Sequence, residues 1–148
     1  MKRFLSLTGF SLIELLVVVA IFAVISSLGL AIGLNFYRGY VLNSERNIFV
    51  SILTKTRSKA VSNINQSPEG VFINSGNYTI FQGSSYASRN QAYDEVISIN
   101  PSVTPSGLGE IVFGQLSGSL LTPSGDVNFT NGQRSVTVSV NDEGRINW

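Results

Sequence analysis

Gly9-Phe10-Ser11-Leu12-Ile13-Glu14-Leu15-Leu16-Val17-Val18-Val19-Ala20-Ile21-Phe22 is the stretch that decides the fold. It opens an uncharged run from Leu15 to Leu34, twenty residues long. At about 1.5 Å of rise per residue, such a run makes a helix of roughly 30 Å, the thickness of a bilayer's hydrocarbon core. Lys2 and Arg3 precede it, and the positive-inside rule holds such residues on the cytoplasmic side. One carboxylate, Glu14, stands at the start of the run. A charge beside a membrane span is costly unless paired, which makes Glu14 a candidate functional residue. The competing reading is a solvated glutamate at the headgroup boundary.

Composition narrows the field. With 148 residues there is room for one modest domain and an anchor. Mean hydropathy is +0.22, but the apolar weight lies before residue 36. Beyond it the chain is rich in Ser, Asn, Gly and Thr, as in extracytoplasmic β-rich modules. Net charge is +1, from ten basic and nine acidic residues. Without residues 1–9 it would be −1, which gives no support for broad attraction to nucleic acid or anionic lipid. There is no Cys and no His. Disulfides, thiolate nucleophiles, Cys/His metal sites and His-dependent triads are thereby excluded, and no cofactor site is expected.

The first nine residues resemble the basic region of a secretory signal peptide. The apolar run exceeds the length of a cleaved signal's hydrophobic core, about 7–15 residues, and lacks an obvious small-x-small cleavage site. A signal anchor fits better. Residues 9–17, Gly-Phe-Ser-Leu-Ile-Glu-Leu-Leu-Val, go further. They resemble the class III signal of type IV pilins and type II secretion pseudopilins. That resemblance implies cleavage between Gly9 and Phe10 by a prepilin peptidase and methylation of the new Phe10 amine. It also implies pairing of Glu14 with the N-terminal amine of a neighbouring subunit. If the helix begins at Phe10, Phe10 and Glu14 lie one turn apart on one face. In a desolvated bundle both charges need a partner.

The helix is expected to continue through an amphipathic segment, 35–65. Phe49, Ile52, Leu53, Ala60 and Ile64 share one side at helical spacing. Asn47, Ser51, Thr54, Lys55, Ser58, Lys59 and Ser62 share the other. Gly29, Gly33 and Gly39 mark points where bending is cheap. Gln66-Ser67-Pro68-Glu69-Gly70 breaks the helix, and the hydrophobic period then changes to two. Strands are expected at 71–73, 78–81, 96–99, 111–113, 127–129 and 136–140, with Asn131-Gly132 as a hairpin turn and a final hairpin at Asp142-Glu143-Gly144. Residues 83–94 and 100–109 read as loops, the latter because of Pro101 and Pro105. The expected fold class is α+β, a long N-terminal helix on an antiparallel β-rich head spanning 66–148. Leader, filament-core helix, amphipathic helix and head would occupy 1–9, 10–34, 35–65 and 66–148.

The order of parts resembles the GspH/FimT minor pilins. The matching pieces are Thr56-Arg57-Ser58-Lys59-Ala60, Phe113, Pro123-Ser124-Gly125 and Gly144-Arg145-Ile146. The phenylalanine that directly precedes Pro-x-Gly in that subgroup is absent; Leu121-Thr122 stands there. Other patterns carry less. The sequons at Asn65, Asn77 and Asn128 are what an Asn/Ser/Thr-rich chain produces by chance. Asp94/Glu95 and Asp142/Glu143 are adjacent, so on extended backbone their side chains diverge, and solvated loop charge is the better reading. Lys55, Arg57 and Lys59 form the densest basic patch, read as a solvated helix face. Arg89, Arg134 and Arg145, with Tyr86, Tyr93 and Trp148, would suit a weak nucleic-acid surface if they converged.

These observations lead to a non-enzymatic filament subunit, with Gly9, Phe10 and Glu14 as its working residues. Its expected partners are other pilin or pseudopilin subunits, prepilin peptidase, an inner-membrane assembly platform, and membrane lipid before assembly. Rival readings are a DNA-binding minor pilin, which the charge balance does not support, and an ordinary signal-anchored periplasmic protein.

Overall fold

The computed structural model describes residues 9–148, except the side chains at positions 28, 30, 31 and 32. The basic segment with Lys2 and Arg3 lies outside the described residues. Helix α1 runs Leu12–Val61. Eight strands follow: β1 Glu69–Ile73, β2 Asn77–Gln82, β3 Glu95–Ser98, β4 Thr104–Gly107, β5 Glu110–Phe113, β6 Gly125–Thr130, β7 Ser135–Val140 and β8 Ile146–Asn147. The architecture is α+β, with a helix packed on antiparallel sheets. Two units divide at Tyr37 and Arg38.

In the first unit the described helical side chains are exposed, and most of those after Glu14 are apolar, on every side of the helix. Leu12, Leu15, Leu16, Val19, Ala20 and Ala23 form one stripe, and Val17, Ile21, Val24 and Ile25 continue around the cylinder. A helix apolar all round needs an apolar surrounding, whether lipid or neighbouring helices. Ser27 donates its hydroxyl to the Val24 carbonyl at 2.8 Å and so satisfies itself within the run. Among the described residues no helix is long and apolar enough to cross a membrane. The four side chains not described fall inside the uncharged run.

The second unit is the head. Its strands form two four-stranded antiparallel sheets, in the orders β3-β2-β1-β5 and β4-β6-β7-β8. The later turns of α1 lie against both. Val41, Leu42, Phe49, Ile52, Leu53 and Ala60 share a core with Val71, Ile80 and Ile111 of the first sheet and Val127, Phe129, Val138 and Val140 of the second. Phe49 is the hinge pin of this core. Its ring centroid is 5.2 Å from that of Tyr78 and 5.1 Å from that of Phe129, so one helical side chain touches a strand of each sheet.

Three expectations change. Ile64 does not extend the buried stripe; it is exposed in a 3₁₀ turn beyond the helix end. Asn63 takes a left-handed conformation (φ 54°) that ends the helical path, a role asparagine fills readily. Glu69-Gly70 belongs to β1 rather than to the breaker. A Cβ at Gly70 would collide with the Phe81 ring, so glycine is there to admit an aromatic. The loop assigned to 100–109 contains β4, despite Pro105. β4 is an outer strand, where a residue without N–H is tolerated.

The loop between β2 and β3 is also less open than its polarity implies. Tyr86 stacks on Phe72 with centroids 3.9 Å apart and meets Phe81 edge-on. This closes a small second core on the first sheet.

Candidate functional site

Gly9, Phe10 and Ser11 precede the helix, and α1 begins at Leu12. The expectation that Phe10 is already helical is therefore corrected. Ser11 is the reason. Its carbonyl accepts the first helical bond, from the Leu15 N–H at 3.2 Å, and its hydroxyl accepts the Glu14 N–H at 3.3 Å. That is N-cap geometry, and Ser11-x-x-Glu14 is the sequence of a capping box. The signal was present in the sequence and went unread. Glu14 also lies in the first turn, where the exposed amide dipoles favour a negative charge. Phe10 is 81% exposed, so the residue after the Gly9-Phe10 bond is sterically open.

In the head, two of the separated motifs meet. Arg57 donates from Nε to the Gly118 carbonyl at 3.1 Å and from a terminal nitrogen to the Glu143 carbonyl at 3.3 Å. Gly144 (φ 74°) lies so close that a Cβ there would strike the Gly118 oxygen. An open groove of about 650 Å³ follows, with Arg57, Ser58 and Val61 on the helix side and Arg145, Ile146 and Trp148 on the other. Arg57 thus serves as a bracket between helix end and closing hairpin, while Phe113 lies in the core.

The basic patch dissolves. Lys55 pairs with Glu95 at 2.5 Å, and Lys59 approaches the same carboxylate at 3.8 Å. The hydrogen bond from Lys55 holds the Glu95 carboxyl below the ordinary carboxylate range. Asp94 turns instead to Arg89, at 2.8 Å, as adjacent acids on extended backbone should. Arg89 in addition covers the Tyr86 ring at 3.7 Å. Arg134 lies against Gly39, and Arg145 lines the groove beside Arg57. Gly39 and Arg57 are eighteen residues apart on α1, roughly 27 Å along the helix. Arg89, Arg134 and Arg145 do not converge.

Two buried carboxylates escaped the sequence reading. Glu45 accepts the Tyr78 hydroxyl at 2.9 Å and the Asn100 N–H at 3.2 Å, tying α1 to the first sheet and to the connection after β3. Burial first, then the Glu45 carboxylate, pushes the Tyr78 phenol well up. Glu69 contacts Gln82 at 3.4 Å; burial raises its carboxyl, opposed by Lys59 and by the Gln82 hydrogen bond. Glu45 lies on the buried stripe of α1, three residues after Leu42 and four before Phe49, and Glu69 opens β1, so each is carried inward by the element that holds it. Among the described residues no cluster of acidic side chains is suited to a metal ion.

Residues 8–30 match the family model described as the prokaryotic N-terminal methylation motif. Over that span the chain is similar to the N-terminal segment of type IV prepilin-like proteins. No curated protein and no solved structure matches it. In a type IV pilin-like protein this motif implies dealings with other pilin subunits and with a prepilin peptidase, and a structural role. The fold agrees: an exposed apolar helix leading into a helix-on-sheet head. The matched span contains Gly9, Phe10, Ser11 and Glu14, so the capped helix start belongs to the prepilin-type segment.

Proposed function

We propose that the chain is a minor pilin or pseudopilin, with a head of the GspH/FimT kind. It is made as a single-pass inner-membrane precursor with the head in the periplasm, cut after Gly9, methylated at Phe10 and assembled into a filament. Its work is to initiate, cap or couple a type II secretion pseudopilus or a type IV pilus. The observation that carries this reading is the prepilin-type segment at 8–30 joined to an exposed helix that is apolar on all sides. Residues 10–34 would serve as anchor in lipid and later as filament core, since neighbouring helices can replace lipid contacts. Glu14 would pair with the methylated amine of an adjacent subunit. Its partners would include the peptidase and an inner-membrane assembly platform.

The test is the mass of the mature N-terminus, measured on protein expressed with a prepilin peptidase. The expected product begins at Phe10 and carries one methyl group. Gly9→Val should remain uncut, because a branched side chain crowds the scissile bond. A chain that keeps residues 1–9 in the presence of active peptidase would return it to the class of ordinary signal-anchored proteins.

A further inference from the structure

Where α1 enters the head, the structure assembles two arginines and no acid. Arg38 donates to the Gln133 side-chain oxygen at 2.8 Å, and Asn131 donates to the Arg38 carbonyl at 3.0 Å. The β6–β7 turn that carries Arg134 is held by its own bonds. Asn131 Oδ1 accepts the Gln133 and Arg134 N–H groups at 3.2 and 3.0 Å, and Thr130 donates to the Arg134 carbonyl at 3.2 Å. Arg134 then lies across Gly39: a Cβ there would stand 3.0 Å from its Nη1. The glycine leaves room for a guanidinium. Both arginines are exposed, and Tyr40, two residues after Arg38 on α1, is 72% exposed.

Charge is not neutralised here. The ion pairs among the described residues all use other cations. The segments that build this end, 35–44, 100–109 and 127–141, contain no Asp or Glu. The nearby carboxylate of Glu45 is buried and engaged by Tyr78 and Asn100. Arg38 is also the first charged residue after Glu14, so it closes the uncharged stretch of the chain.

We propose that Arg38 and Arg134 form a binding site for the phosphate of an anionic phospholipid, which seats the head on the bilayer surface before assembly. The inference rests on the anchored-precursor reading above. Guanidinium groups match phosphate oxygens in fork geometry, and only one of Arg38's five donors is taken by Gln133. An exposed tyrosine on the same turn of α1 as Arg38 suits the headgroup layer. Attraction to an anionic surface changes binding about fivefold per arginine and fades with salt.

The experiment uses the full chain in detergent. Native mass spectrometry compares its binding of phosphatidylglycerol and phosphatidylcholine, and alkaline carbonate extraction of reconstituted vesicles checks anchoring. Phosphatidylglycerol should bind more tightly. Arg38→Gln with Arg134→Gln should weaken it about tenfold or more and leave phosphatidylcholine unchanged, while Arg38→Lys with Arg134→Lys restores most of the preference. The lysine pair guards against a folding defect. Equal binding of both lipids, a preference that survives the glutamines, or displacement of the lipid by inorganic phosphate at equal concentration overturns the proposal alone. A chain that carbonate extracts overturns the anchoring reading and this inference with it.

Discussion

Glu69 is 4% exposed, and burial outweighs the help its charge receives from Lys59 and Gln82. Its folded pKa is therefore above the unfolded value near 4.5. The folded state holds the proton more tightly, so this group's contribution to stability is complete below that value and is lost as pH rises through the folded pKa. Glu69→Gln should raise the urea midpoint of the head at neutral pH, and the gain should shrink on acidification. Equal midpoints for both proteins at neutral pH would count against a costly buried charge. Glu14 poses the opposite problem, being exposed and making no ion pair among the described residues. In a filament its expected partner is the amine of Phe10 from a neighbour. Removing one member of a desolvated pair costs about 3–5 kcal/mol. Glu14→Gln should thus reduce co-purification with filament partners while cleavage after Gly9 continues. Wild-type incorporation of that variant would discard the charge-pair mechanism.

At the scale of elements, α1 is one helix with two surfaces. Its early turns expose apolar side chains all round; its later turns bury a single stripe. The Ser11 cap begins it, and Asn63 ends it with help from the 114–119 loop, whose Leu116 N–H reaches the Ala60 carbonyl at 3.0 Å. Phe49 is where the helix joins the sheets, fully buried between Tyr78 and Phe129. Phe49→Ala should cost about 3–5 kcal/mol, since removing it leaves a cavity against both sheets at once. Val61→Ala, on the exposed end of the same helix, should cost much less. Chemical denaturation of the two variants gives the comparison, and similar losses would show that Phe49 has no bridging role.

For the molecule as a whole, the division at Tyr37 and Arg38 suggests where it can be cut. A fragment starting near Asn35 keeps the whole buried stripe of α1, both sheets and the Glu45–Tyr78 bond. It should be soluble and give a far-ultraviolet spectrum with both helix and strand. A disordered or purely helical spectrum would mean that the head depends on the apolar segment. Arg57 adds a second whole-molecule constraint, because it ties the helix to two positions separated from it by 61 and 86 residues.

The amino-acid sequence by itself determined what depends on neighbours along the chain. The apolar run, the Gly9-Phe10-Ser11 to Glu14 pattern, the Phe49/Ile52/Leu53/Ala60 stripe and the alternating Val136, Val138 and Val140 are all local periodicities, and each was legible. β4 was not, because Pro105 disqualifies a strand except at an edge, and edge position is a property of the sheet. The two-sheet division was hidden for the same kind of reason: strand order depends on pairings between distant segments. Glu45 and Glu69 read as ordinary polar residues until packing removed their water. The basic patch at Lys55 and Lys59 lost its meaning when Glu95, forty residues from Lys55, arrived beside it. Arg38 and Arg134 gained theirs in the same way, through a turn 95 residues downstream of Arg38 that folds back onto the helix. Side-chain charge is written in the sequence, but whether it is cancelled, buried or left facing outward is decided only by the contacts that tertiary folding makes.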